Sequence, residues 1–272
     1  MATPINASSN TPVAVVTGGA RGIGLAIVDW FLAHQYHVAI LDIDQPSLSE
    51  VRKSFGNTSK VLVLDCDVSQ PDQVHTCVAK IADHFGRIDA LVNNAGVAVF
   101  KPLLDTSYEE WRYVMATNLD GTFLCSQACS KVMLQNGGGA IVNIASISGL
   151  RASTLRVAYG TSKAALIHFT KQQAAELGNV GIRVNAIAPG PVDTEMAKQV
   201  HTPAIRAGYA DAIPLKRYGT PQEIAEGVGF LCSPAASYVN GQVLAVDGGF
   251  DATGIGLPAL RASGPTPPTS DL

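Results

Sequence analysis

The chain has 272 residues, 47% hydrophobic and 15% charged, a composition that supports a packed core and argues against a disordered chain. Its formal charge is −3 and its pI about 6.0, with no lysine- or arginine-rich run, which argues against a nucleic-acid partner. No apolar run of about 18 residues suggests a membrane span, and the polar start from Met1 to Pro12 lacks the apolar stretch of a secretory signal.

In chain order, Val13–Thr17 is the first predicted strand, apolar at consecutive positions as a sheet buried on both faces requires. Next comes Thr17-Gly18-Gly19-Ala20-Arg21-Gly22-Ile23-Gly24, opening into a helix with a stripe of Ile23, Ala26, Ile27, Trp30 and Phe31. Further strands are predicted over residues 37–41, 61–64, 90–92, 140–145, 183–187 and 242–246. Helices are predicted near residues 71–85, 108–135, 159–177 and 221–231. This alternation predicts an α/β fold, a doubly wound parallel sheet with helices on both faces. Residues 12–252 read as one domain, flanked by a loose segment 1–11 and a Gly/Pro-rich tail 253–272. The stretch 191–215 is long for a connection and reads as a lid loop. The five cysteines form no CxxC pair and read as reduced structural thiols of a cytoplasmic protein.

Glycines at 18, 22 and 24 let the backbone turn and approach a pyrophosphate, while the backbone of Arg21, Gly22, Ile23 and Gly24 opens a helix with unpaired N–H groups. A bare glycine pattern also fits a structural tight turn; its place between strand and helix favours the dinucleotide. Asp42 ends the second strand, where a carboxylate accepts hydrogen bonds from an adenosine ribose and repels a 2′-phosphate. Arg21 acts in the opposite sense, and the balance favours NAD over NADP. Asp67 and Val68, after the third strand, are placed beside the adenine, although an aspartate there also makes an ordinary turn.

These segments, with NNAG (93–96), Asn118, Ser146, Tyr159-x-x-x-Lys163 and Pro189-Gly190-x-x-x-Thr194, resemble the short-chain dehydrogenase/reductase family in its compact single-domain form. The likeness runs from residue 13 to about 250. It implies a Rossmann-like fold of seven parallel strands in the order 3-2-1-4-5-6-7. It also implies that Asn93 and Asn94, with Ala95 and Gly96, support the sheet and the cofactor. By the same likeness Lys163 holds the nicotinamide ribose and Asn118 anchors a water relay. Pro189, Gly190, Val192 and Thr194 would meet the nicotinamide carboxamide, with a helix cap as the alternative for Thr194. The 13-residue step from Ser146 to Tyr159 fits the family, so the resemblance selects Ser146 over its rival Ser148. A homotetramer or homodimer is implied as well.

The chemistry of the set can be argued separately. Tyr159 and Lys163 are four apart and share a helix face. Free tyrosine titrates near about 10, and about 4 kcal/mol of stabilisation would bring it to neutrality. The lysine ammonium and the positive ring of oxidised nicotinamide are expected to supply that and make the phenol acidic. Tyr159 would then exchange the proton of a substrate hydroxyl, with Ser146 hydrogen-bonded to the same oxygen. The expected function is hydride transfer between NAD(H) and a small-molecule secondary alcohol or ketone. The alternatives are an NAD-using epimerase or dehydratase, and a dinucleotide sensor without turnover. HExxH, GxSxG and GxxxxGK[ST] are all missing, so zinc-protease, serine-hydrolase and P-loop readings lack their residues. Arg151 and Arg156 border the expected pocket; solvated surface charges are the preferred reading over an anion-binding pair.

Overall fold

A computed structural model describes residues 11–254; the expected loose ends, apart from Thr11 and the two residues 253–254, lie outside the described residues. The sheet contains β1 (Val13–Thr17), β2 (His37–Asp42), β3 (Val61–Asp65), β4 (Ala90–Asn93), β5 (Gly139–Ile144), β6 (Ile182–Pro189) and β7 (Val243–Val246). All pairings are parallel and the order is β3-β2-β1-β4-β5-β6-β7. The helices are α1 (Gly22–Ala33), α2 (Gln45–Phe55), α3 (Pro71–Phe85), α4 (Tyr108–Met115), α5 (Gly121–Gln135) and α6 (Ile147–Leu150). They continue with α7 (Val157–Leu177), α8 (Glu195–Val200), α9 (Pro203–Ala212) and α10 (Pro221–Cys232).

Alternation along each strand divides the core in two. On β1, Val13 and Val15 face α3 and α5, packing with Val78, Ile81, Cys129 and Met133. Ala14 and Val16 face the opposite layer, where Ile27 and Phe31 of α1 meet Leu48 of α2 and Val228 of α10. Every β1 residue is therefore buried, which explains the unbroken apolar run.

Two predicted elements need correction. The helix expected over residues 108–135 is broken by a π turn, Ala116–Asp120, centred on the fully buried Asn118. The stretch 191–215 is not a plain loop but carries α8 and α9, capped by Thr194 and Thr202. Helix α2 was not anticipated; Asp44 caps it by accepting the Ser47 N–H at 3.1 Å.

Candidate active site

In this order successive strands are added outward in one direction from β1 to β3 and in the other from β4 to β7, and parallel sheets form ligand crevices beyond the strand ends at such a switch point, here between β1 and β4. A cavity of about 930 Å³ lies there. Its wall holds Gly18, Arg21, Gly22, Ile23, Gly24, Asp42, Asp67, Val68, Asn94, Ala95 and Gly96, together with Ser146, Tyr159, Lys163, Pro189, Gly190, Val192 and Thr194. Of the residues expected at or around the site, Asn93, Asn118 and Arg151 stand off the wall.

The glycine loop is shaped by its own backbone. Gly18 sits at φ +60°, and a Cβ at Gly24 would run into the Gly18 carbonyl oxygen. Asn94 clamps the loop, donating from Nδ2 to the Thr17 and Gly18 carbonyls at 3.0 and 2.8 Å. Thr17 Oγ1 in turn accepts the N–H groups of Asn94 and Ala95, each at 3.0 Å. Arg21 is the N-cap of α1 but makes no side-chain cap, and the first turn has no acidic residue. The N–H groups opening α1 thus lack intrahelical partners beside the cavity, an arrangement that fits a pyrophosphate. Asp42 is held rigidly: Oδ2 accepts from Ala20 N at 2.9 Å, and Oδ1 from Ile43 N at 2.8 Å and Asp44 N at 3.1 Å. Those bonds leave lone pairs for a ribose.

At the other end, Ser146 follows β5 and caps α6, its Oγ accepting the Ser148 N–H at 3.0 Å. Ser148 pairs with Ser153, Oγ to Oγ 3.0 Å, and is not on the cavity wall. Of the two serines, only Ser146 lines the cavity. Lys163 is buried, donates from Nζ to the Ile144 carbonyl at 2.7 Å, and lies 5.7 Å from the centre of the Tyr159 ring. Burial pushes its ammonium down to about 8.

The protein's own share of the expected electrostatics runs the other way. Burial pushes the Tyr159 phenol up, and the groups that oppose it are the Ser146 hydroxyl and the Arg156 guanidinium. Desolvation outweighs both, so the protein's own residues do not make this phenol acidic.

The Asn118 side chain is fully buried and hydrogen-bonded through both its oxygen and its nitrogen. Its Nδ2 donates to Val97 O at 3.0 Å and Ser162 Oγ at 2.9 Å, while Oδ1 accepts Val97 N at 2.8 Å. The amide therefore ties the segment after β4 to α7. A Cβ at Gly96 would lie 3.4 Å from Asn118 Oδ1 and 3.5 Å from Lys163 Nζ, so these groups meet under that segment. Thr194 lines the cavity and also caps α8, accepting the Ala197 N–H at 3.2 Å.

The wall also includes Phe100, Tyr113, Arg156, His201 and Tyr209. Only Arg156 had been singled out in the sequence, and then as a surface charge. The others carry no local signal, because distant segments bring them to the cavity. Arg151 is tied away from the wall, donating to Phe250 O at 2.6 Å with its guanidinium 4.7 Å from that ring centre.

A doubly wound parallel sheet with a glycine loop at its switch point and a Ser/Tyr/Lys set in the same crevice defines a dinucleotide-linked oxidoreductase. The family model described as enoyl-(acyl carrier protein) reductase matches residues 18–251. The 3-oxoacyl-(acyl-carrier-protein) reductase FabG of Chlamydia muridarum is 41% identical over 238 residues, 87% of this chain and 96% of that protein. The 2-(R)-hydroxypropyl-CoM dehydrogenase of Xanthobacter autotrophicus is 40% identical over 246 residues, 88% of this chain and 98% of the relative. Among solved structures, a gluconate 5-dehydrogenase of Burkholderia cenocepacia in complex with NADP and tartrate superposes with a TM-score of 0.84 at 31% identity, covering 89% of this chain and 96% of that one. The chain belongs to the short-chain dehydrogenase/reductase family, oxidoreductases that act on CH–OH or keto groups with a nicotinamide dinucleotide. Among the described residues no helix is long and apolar enough to cross a membrane.

Proposed function

We propose that this protein is an NAD-dependent dehydrogenase or reductase of a small secondary alcohol or its ketone, with Tyr159 as the acid–base group. The observation that carries the proposal is the convergence of Ser146, Tyr159 and Lys163 on the cavity that also holds the glycine loop and Asp42. The names of the 3-oxoacyl and 2-hydroxypropyl relatives fit a carbonyl or carbinol flanked by carbon on both sides.

When bound, the dinucleotide supplies hydride chemistry at nicotinamide C4. The glycine loop and the α1 amino terminus would hold its pyrophosphate, Asp42 its ribose, Asp67 and Val68 its adenine, and Val192 and Thr194 its carboxamide. In the oxidising direction the Tyr159 oxygen takes the proton of the substrate hydroxyl as the carbinol carbon gives up hydride. Ser146 Oγ donates a hydrogen bond to the same substrate oxygen and steadies its charge. Lys163 keeps a positive charge beside the phenol and would bind the nicotinamide ribose. Asn118 is a positioning residue, fixing Val97 against Ser162 beneath the site.

The reading is tested by adding NAD and a panel of secondary alcohols and following the absorbance of reduced nicotinamide. Tight NAD binding with no absorbance change for any alcohol would move the assignment to an epimerase or a sensor. NAD is preferred because the Asp42 carboxylate is locked on the wall by three backbone N–H groups. Asp42→Ala is expected to raise the NADP-to-NAD ratio of kcat/KM at least about 10-fold, equivalent to about 1.4 kcal/mol. The ratio is the right readout, since any disturbance of the loop affects both cofactors. An unchanged ratio means that Arg21 already governs the choice. We also assign homo-oligomer assembly to the α4–α5 and α7 layer, where Phe123 and Leu134 of α5 stay exposed; a monomer mass in light scattering rejects it.

A further inference from the structure

We infer that Arg156 is a substrate-specificity residue and that the substrate is an anionic alcohol or ketone, bearing a carboxylate or sulfonate a few bonds from the reacting carbon. The inference rests on the hydride-transfer reading above and adds the substrate class to it.

Arg156 lines the cavity three residues before Tyr159, as the N-cap of α7. Residues three apart at a helix start project over neighbouring surface, about 5–6 Å between Cβ atoms. An anion held there would therefore sit close to a carbinol held by Tyr159. The backbone is set firmly for this. Leu155 takes the left-handed φ of +60°, its carbonyl accepts the Lys101 N–H at 3.0 Å, and Lys101 and Arg156 form a parallel bridge.

The charge of Arg156 has no carboxylate partner among the described residues. Nearby acids are already engaged: Asp193 with Arg206 at 3.0 Å and Glu195 with Lys198 at 2.7 Å. The contacts Arg156 does make are neutral. Its guanidinium carbon lies 5.1 Å from the Phe100 ring centre, and Nη2 stands 3.5 Å from His201 Nε2. His201 is anchored through Nδ1 to the Tyr218 hydroxyl at 3.1 Å. Burial and the charges of Arg156 and Arg206 push His201 down, so it stays neutral beside the guanidinium. A partly buried, unneutralised guanidinium with free donors suits a planar or tetrahedral oxyanion, which it can meet with two parallel hydrogen bonds. Arg151, spent on Phe250, takes no part.

The test compares 3-hydroxybutyrate with its amide, and 4-hydroxypentanoate with its amide, with NAD in excess. The parent protein is expected to favour each acid over its neutral isostere at least about 10-fold in kcat/KM, and Arg156→Gln to bring that ratio to near 1 or below. Arg156→Lys should fall between them, since it keeps the charge without the fork. Calorimetric titration of the NADH-loaded protein with acetoacetate and acetoacetamide gives a readout independent of turnover, with the same preference expected and lost in Arg156→Gln. Turnover of acid and amide alike, or a preference that survives Arg156→Gln, overturns the anion inference and leaves hydride transfer standing. Reaction of larger neutral alcohols but of neither pair does the same. Failure of every alcohol overturns both.

Discussion

Tyr159→Phe is expected to lower kcat for alcohol oxidation by about 10³-fold, within the range that a positioned acid–base group contributes. The ring fills the same space, so NAD affinity, followed by fluorescence titration, should change little. Retention of more than a few per cent of activity would remove Tyr159 from its assigned role. The direction of the pH dependence follows from the site. Burial holds the phenol above its ordinary range, opposed by Ser146 and Arg156. Oxidation needs the phenolate, so its rate should rise with pH through the tyrosine's titration, while ketone reduction, which needs the phenol, should fall. Bound oxidised nicotinamide adds a further positive charge beside the phenol, so titration of Tyr159 should occur at lower pH in the NAD complex than in the free protein. A Tyr159 titration unmoved by NAD would refute the electrostatic part of the account.

Lys163→Met should separate stability from activity. The lysine's ordinary value is 10.5 and its buried value about 8. Between those pH values the unfolded chain holds a proton that the folded chain lacks, so stability rises with pH across that window and levels off above it. Below the window the buried ammonium costs about 3 kcal/mol. Methionine removes that cost but leaves the Ile144 carbonyl without its donor, a penalty of about 1–3 kcal/mol. The variant is therefore expected to melt no lower than the parent at neutral pH, and up to about 2 kcal/mol more stable, while kcat falls by about 10²-fold or more. A clearly lower melting temperature would show that the ammonium stabilises the fold instead of burdening it. A lysine retained at such a cost is what a site selected for chemistry, not packing, predicts.

Much of the fold was legible because local patterns carry it. β1 and α3 lie where periodicity placed them, since a doubly buried strand must be apolar throughout and α3 has a clear stripe ending at Phe85. Strand β4 ran one residue longer than expected, to Asn93, a polar residue drawn into register opposite Asn143. Helices α2 and α9 were missed for a shared reason. α2 buries only Leu48 and Val51, and α9 buries nothing, so neither writes a stripe. Their signals were at the caps: Asp44 ahead of Pro46, and Thr202 ahead of Pro203.

From the order of residues alone came the parallel doubly wound sheet, the glycine loop opening α1, and Ser146, Tyr159 and Lys163 as a set. Backbone conformation and hydrophobic period are demands that neighbouring residues express together. Only the tertiary structure decided that Arg156 lines the cavity while Arg151 is bound to Phe250, that Asn118 braces Val97 and Ser162, and that burial drives Tyr159 up and Lys163 down. Desolvation and charge pairing depend on atoms contributed by segments far apart in the chain, and no local pattern records which of them will meet.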